Sequence, residues 1–165
     1  MPPRQSHLPR TMRYDPASQP NNEMAYYLEG RFEEWNECIL RPLVYYCLHY
    51  PSTKPPTPSI AALAQRGVTL CVNCIMRYTR HDRHGNTWVV LRRIFRCALI
   101  ILATVIADGP LRPPENWREL TNISIATLSR WSTGVRDLQR MRRVLERVFH
   151  AVCDIEASRM PIDDR

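Results

Sequence analysis

Two cysteines and two histidines come closest to chemistry in this chain. Cys71-Val72-Asn73-Cys74, followed by His81 and His84, offers two thiolates and two imidazoles, the ligand types that zinc prefers. The spacing argues otherwise. A structural finger usually separates its Cys and His pairs by about twelve residues, and cysteines at i and i+3 are also what the buried stripe of a helix produces. Zinc at Cys71, Cys74, His81 and His84 is therefore set aside in favour of two core cysteines. Catalytic sets are thinner still. The five glycines, Gly30, Gly67, Gly85, Gly109 and Gly134, are too scattered to cradle a phosphate. Glu33, Glu34 and Glu37 follow one another on a single helix, where carboxylates are usually solvated. Cys153 with His150 would form a nucleophile pair on a helix surface with no third group to orient it. No catalytic residue is assigned, and the chain reads as a non-enzyme.

The elements that position these residues are helices. A polar turn from His81 to Asn86 leads into Thr87-Trp88 and about twenty residues of helix pattern. Val90, Ile94, Cys97, Ile101 and Val105 share one side of it, while Arg92, Arg93 and Arg96 share another. From Ala98 to Ala103 the sequence is apolar on every side, so this helix begins at a surface and ends inside a core. Trp88 is expected to plug that core, and His84 to tether the turn before it. A membrane span is the poorer account. The charge-free run from Cys97 to Ala107 falls short of the ~18–20 apolar residues a span needs, and extending it upstream buries three arginines.

Residues 1–22 hold Pro2, Pro3, Pro9, Pro16 and Pro20 with few large aliphatics, and read as a disordered Pro/Arg-rich N-terminus without a signal peptide. Met24 to Tyr50 is helical and rich in aromatics, with Arg41-Pro42 expected to break it into two helices. Residues 51–58 form a Pro-rich connector, and Ser59 is placed as the cap of the next helix, in which Ile60, Leu63, Cys71, Cys74 and Tyr78 share a face. Gly67 weakens that helix near its middle. A second proline-rich loop from Asp108 to Pro114 precedes helices at about Glu115–Trp131 and Val135–Ala157. In the last one Leu138, Met141, Leu145, Val148, Val152 and Ile155 alternate by three and four, a continuous packing seam. Residues 158–165 are a disordered tail. The fold class is all-α: an irregular multi-helix bundle of about five or six helices spanning 23–157, forming part of a larger helical domain.

The order of these pieces resembles a family. Arg83-His84-Gly85-Asn86-Thr87-Trp88 and the Arg-bearing helix after it resemble part of the regulatory domain of fungal zinc-cluster transcription factors. Upstream, Leu40-Arg41-Pro42-Leu43-Val44-Tyr45-Tyr46 is similar to that domain's Arg-Pro-aromatic helix. Downstream, Pro114-Glu115-Asn116-Trp117-Arg118-Glu119 is followed by Leu128-Ser129-Arg130-Trp131 and a long terminal helix. The resemblance covers about residues 24–157 and marks His84, Trp88, Pro42 and Trp131 as structural positions. It implies the C-terminal part of a nuclear, all-helical regulatory domain of a transcription factor acting on RNA polymerase II genes. The acidic residues that often follow the final tryptophan are replaced by Ser132-Thr133-Gly134. The family's two-zinc, six-cysteine DNA-binding module is not among these residues, since Cys38, Cys47, Cys71, Cys74, Cys97 and Cys153 are spread over more than a hundred positions. Zinc and DNA contact are expected only in such a module. The alternative is a stand-alone helical interaction protein, a truncated relative that does not bind DNA.

Composition bounds the rest. A chain of 165 residues with 44% hydrophobic content suits one domain with a core. Its net charge of +7 is mostly arginine on helix faces, at Arg92, Arg93 and Arg96 and from Arg136 to Arg147. Acids interrupt the series, so a solvated face fits better than a phosphate-tracking surface. The cysteines behave as small hydrophobes in a reducing compartment. Partners are other proteins or missing helices of a parent regulator, without a membrane. A partial domain would leave the helix at 97–107 and the seam at 138–155 uncovered and so self-associate.

Overall fold

The structure, a computed structural model, describes residues 23–49, 55–78, 87–107 and 109–159, with backbone alone at 23–27. Five helices account for nearly all of them: α1 (Glu23–His49), α2 (Pro58–Tyr78), α3 (Thr87–Ile106), α4 (Trp117–Trp131) and α5 (Arg136–Arg159). No strand occurs among the described residues, so the fold is all-α. The N-terminal stretch to residue 22, residues 51–54 of the 51–58 connector, residues 160–165 and the turn carrying His81 and His84 lie outside the described residues, while 158 and 159, expected in a disordered tail, continue α5.

Side-chain links give the directions of the helices. Glu29 near the start of α1 meets Arg77 near the end of α2, so these two run antiparallel. Gln65 near the start of α2 exchanges two hydrogen bonds with the Arg112 backbone just beyond α3 (2.9 and 3.1 Å). Arg92 near the start of α3 pairs with Asp137 at the start of α5, and Arg159 at the end of α5 donates to Val105 and Ile106 at the end of α3. Arg118 at the start of α4 pairs with Glu156 near the end of α5. The chain therefore runs up, down, up, down and up.

Helix α3 is the centre of this bundle, packing against α2, α4 and α5. It buries Leu91, Ile94, Cys97, Ala98, Ile100, Ile101, Leu102 and Thr104, as its all-round apolar second half requires. Among the described residues one helix, α2, is long and apolar enough to cross a membrane by length and composition, and it too packs against three other helices. The α5 seam closes the other side. Leu138, Leu145 and Val152 are buried and Met141 and Val148 pack against the core, while Ile155 at the seam's end is exposed. Helices α3 and α5 thus cover each other, and the expected apolar exposure does not fall on them. Buried hydroxyls are satisfied within their own helices: Thr104 donates to Ile101 O, Thr121 to Trp117 O and Ser124 to Leu120 O.

Several expectations need correction. Pro42 does not divide the first helix, because α1 runs unbroken to His49. Proline removes one backbone bond, but Leu40, Val44 and Cys47 are all buried on the same face, and Arg41 spans back to Glu37 across the weakened turn. Thr57, not Ser59, stands at the start of α2: its carbonyl takes the first helical bond from Ala61 N, and Pro58 occupies the first helical position. Leu63 is exposed; Ala64, Gly67, Val68 and Ile75 complete the inner face of α2 instead. Gly67 is more than a weak point. A Cβ there would lie 2.7 Å from Val44 Cγ2 and 3.3 Å from Leu40 Cβ, so the glycine is where α1 and α2 cross closely.

Trp88 does not plug the core. It is 49% exposed, on the outer side of the first turn of α3, with the Arg92 guanidinium 3.8 Å from its ring centroid. Leu91 and Ile94 take the inward positions of that turn. The tryptophan that does fill the core is Trp117, edge-on to Phe149 with ring centroids 5.9 Å apart. Trp131 packs partly buried against the core. The turn after it places Gly134 at φ +77°, a backbone region where a side chain is strained.

Candidate functional site

The densest chemistry lies where α1 crosses α2 and α3. Glu29, Glu33 and Glu37 recur every four residues and so share one face of α1, the same face as Leu40, Val44 and Cys47. That face is turned inward. Glu33 and Glu37 are 6% and 1% exposed, which overturns the expectation of solvated carboxylates. Burial of a carboxylate is costly unless a cation meets it, and arginines come from all three helices.

Arg77 on α2 reaches Glu29 Oε2 at 2.6 Å and Glu33 Oε2 at 3.0 Å. Glu37 accepts both Arg41 Nε and Arg41 Nη2 at 2.8 Å, a bidentate pair within α1. Its Oε2 also accepts Arg96 Nη2 from α3 at 2.9 Å. Arg93 is itself buried, donates to the Gly30 carbonyl at 3.4 Å, and lies 5.9 Å from the centroid of the Tyr78 ring. Its Nε and Nη2 are buried with no hydrogen-bond partner among the described residues. The three arginines of α3 thus part company. Arg92 is on the surface, Arg93 is in the core, and Arg96 is half-buried against Glu37, so they do not form a common solvated face.

The two buried carboxyls titrate in opposite directions. Burial pushes Glu37 up, but Arg41, Arg96 and Arg93 together outweigh it and hold the carboxyl below its ordinary value. For Glu33, burial dominates over the pull of Arg77 and Arg93, and neighbouring Glu29 adds to it, so this carboxyl is raised. The hydrogen bonds that Arg41 donates to Glu37 keep its guanidinium protonated more firmly than usual.

Beside this network sits a thiol cluster. Cys71 and Cys74 on α2 and Cys97 on α3 are 1%, 0% and 0% exposed. Hydrogen bonding with Cys97 and burial push the Cys74 thiol well up, and hydrogen bonding with Cys71 does the same for Cys97. Such thiols stay protonated, as small core hydrophobes with a weak polar contact. Cys71 and Cys74 therefore stand where a core stripe puts them. No group of three or more His, Cys, Asp or Glu side chains able to hold a metal occurs among the described residues. His81 and His84 lie outside them. Cys153 is half-buried and its neighbour His150 is exposed, with the His150 ring tilted against Phe149.

Each carboxylate of the network meets an arginine within salt-bridge distance, and the Glu29–Arg77, Glu33–Arg77 and Glu37–Arg96 pairs tie α1 to α2 and α3. The sequence carried the signal for it. Glu33 and Glu37 fall in register with the buried positions of α1, and the three arginines of α3 cannot all be solvated if that helix is central. Comparison of the chain with family models, with curated proteins and with solved structures finds no match in any of the three.

Proposed function

We propose that this chain is a regulatory, non-DNA-contacting part of a fungal zinc-cluster transcription factor, acting in the nucleus on RNA polymerase II transcription through protein or effector contacts. The observation that carries the reading is the order of its pieces on an all-helical frame. The Arg-bearing helix that begins at Thr87-Trp88 is the central element α3, and in chain order the Arg-Pro-aromatic helix α1 precedes it and the Trp117-Arg118 helix α4 follows it, the order on which the resemblance rests. The reading is of a non-catalytic role, supported by the pairing of the buried carboxyls Glu33 and Glu37 with arginines. In such a regulator a packed helical domain biases the arrangement of DNA-binding and activating segments outside it. Zinc belongs to a six-cysteine DNA-binding module, which these residues do not contain.

The test is to read the native transcript in frame upstream of Met1 and to tether the chain to a heterologous DNA-binding module beside a reporter. Six closely spaced cysteines in a basic segment, together with altered reporter output, support the reading. A transcript with no such cluster and an unchanged reporter would remove it.

One observation favours the second reading, a stand-alone helical interaction module that does not bind DNA. The helix at 97–106 and the seam of α5 are covered by helices of this same chain, so the bundle closes a core without outside parts. A cooperative thermal transition of the isolated chain, with the tethered reporter silent, would favour it.

A further inference from the structure

The face of α1 opposite the Glu37 network is apolar and open. Leu28, Phe32, Trp35, Ile39, Pro42 and Tyr46 follow one another at spacings of four, three, four, three and four. Leu28, Trp35, Ile39 and Tyr46 are 38%, 66%, 67% and 41% exposed, Pro42 is exposed, and Phe32 is half-buried. Alternating three and four is the seam of a helix that packs lengthwise on another helix. This seam spans roughly 27 Å at 1.5 Å per residue. It presents on the order of 500–600 Å² of apolar side chain, beyond scattered surface hydrophobes and most of the ~800 Å² each partner gives a standard interface.

We propose that this seam is the two-fold interface of a homodimer, in which α1 of one copy packs antiparallel on α1 of the other. Three observations point to a second copy. The spacing is a palindrome about Glu37, so reversing the helix brings Leu28 opposite Tyr46, Phe32 opposite Pro42 and Trp35 opposite Ile39. Each pairing sets a large side chain against a smaller one, as a self-complementary isologous contact requires. Charge agrees. The chain carries +7, and two copies meeting on α5 would bring exposed Arg136, Arg140, Arg143 and Arg147 together. Beside the α1 seam the cations are already neutralised within the helix, Arg31 by Glu34 at 2.7 Å and Arg41 by Glu37 at 2.8 Å. The inner face of α1 is meanwhile fixed to α2 and α3, which holds the seam outward at no further ordering cost. This inference stands whether or not the regulatory reading does.

In that arrangement Cys38, exposed on one flank of the seam, lies next to its own copy at the two-fold axis. The test is sedimentation equilibrium of the full chain together with thiol crosslinking. A species of twice 19.3 kDa at micromolar concentration is expected. Trp35→Glu and Ile39→Lys should each weaken it at least about thirtyfold, as central aromatic and aliphatic anchors do. Val144→Glu on the exposed side of α5 should leave it unchanged, and circular dichroism should show all three variants folded. A short bis-maleimide should join two chains through Cys38, and Cys38→Ser should abolish the product. A monomer across the whole concentration range would overturn the proposal and leave the seam to a different protein. A dimer that survives Trp35→Glu, or one that Cys38 cannot link, would overturn it equally.

Discussion

Gly67 of α2 lies so close to Val44 of α1 that a Cβ on the glycine would stand 2.7 Å from Val44 Cγ2. In most helices Gly→Ala stabilises by about 1 kcal/mol through backbone entropy. Here the crossing reverses the sign. Gly67→Ala is expected to destabilise by about 1–3 kcal/mol, the usual cost of overpacking. Adding Val44→Ala should recover part of that loss, and chemical denaturation of the two single variants and the double variant measures the coupling. A stabilised Gly67→Ala protein would mean that the helices cross further apart.

Glu37 holds Arg41 and Arg96, and replacing it by Ala leaves both cations without their carboxylate. Breaking a buried pair by removing one partner costs about 3–5 kcal/mol. The Arg92–Asp137 pair, 2.6 Å apart but 48% and 44% exposed, makes a control from the same bundle. Asp137→Ala should cost no more than about 1 kcal/mol. Urea midpoints for the two variants should therefore separate widely, and equal losses would mean that the Glu37 network is solvated.

The pH dependence of the two buried carboxyls should have opposite signs. Glu37 is lowered from 4.5, so its stabilising contribution is complete above that value and is lost as pH falls through its lower folded-state pKa. The stability gap between the wild-type chain and Glu37→Gln should shrink on acidification below about pH 4.5. Glu33 is raised from 4.5, so its contribution is complete below that value and is lost as pH rises through its higher folded-state pKa. Relative to Glu33→Gln, the wild-type chain should lose ground as pH rises above 4.5. Thermal melts of both variants from pH 3 to 7 check both signs.

Two tryptophans separate the surface from the core. Trp117→Ala should cost about 3–5 kcal/mol, because the ring is buried and edge-on to Phe149. Trp88→Ala should cost about 1 kcal/mol or less, the worth of an exposed cation–π contact with Arg92. Guanidinium denaturation ranks them, and the reverse order would return Trp88 to the core.

Metal should not matter to this bundle. Cys71 and Cys74 would have to leave the core to ligate zinc, so chelator is expected to leave the helical signal and melting temperature unchanged. One zinc per chain surviving dialysis, with helix lost in chelator, would restore the four-ligand reading of Cys71, Cys74, His81 and His84. Thiol labelling gives an internal check. Cys38 should react in the folded chain, while Cys47, Cys71, Cys74 and Cys97 should wait for unfolding.

The frame was legible because period speaks plainly in long helices. The all-round apolar run after Cys97 announced a central helix, and the three-four alternation from Leu138 to Val152 announced its cover. The site was harder to see because polar residues break the rule that the inside is apolar. Glu33, Glu37 and Arg93 look like surface when each is weighed alone, and only the contacts between helices show them facing one another. Pro42 misled for a related reason. Its local preference for breaking a helix is real, but packing on both sides of it prevailed. Trp88 misled because size suggests burial, whereas its place on the turn decides.

Arg159 bears on the order in which this chain can be completed as it is made. Its guanidinium reaches the Val105 and Ile106 carbonyls, three and a half and three ångströms away, at the end of the central helix. Those carbonyls belong to the last turn, which has no partners of its own. A chain emerging from the ribosome presents α3 more than fifty residues before this cap exists, at roughly 5–20 residues per second. For several seconds the central helix waits with a ragged end and an uncovered flank. The bundle is thus one whose middle is finished last, and a nascent chain halted before α5 would be a target for chaperones rather than a smaller working version of the same protein.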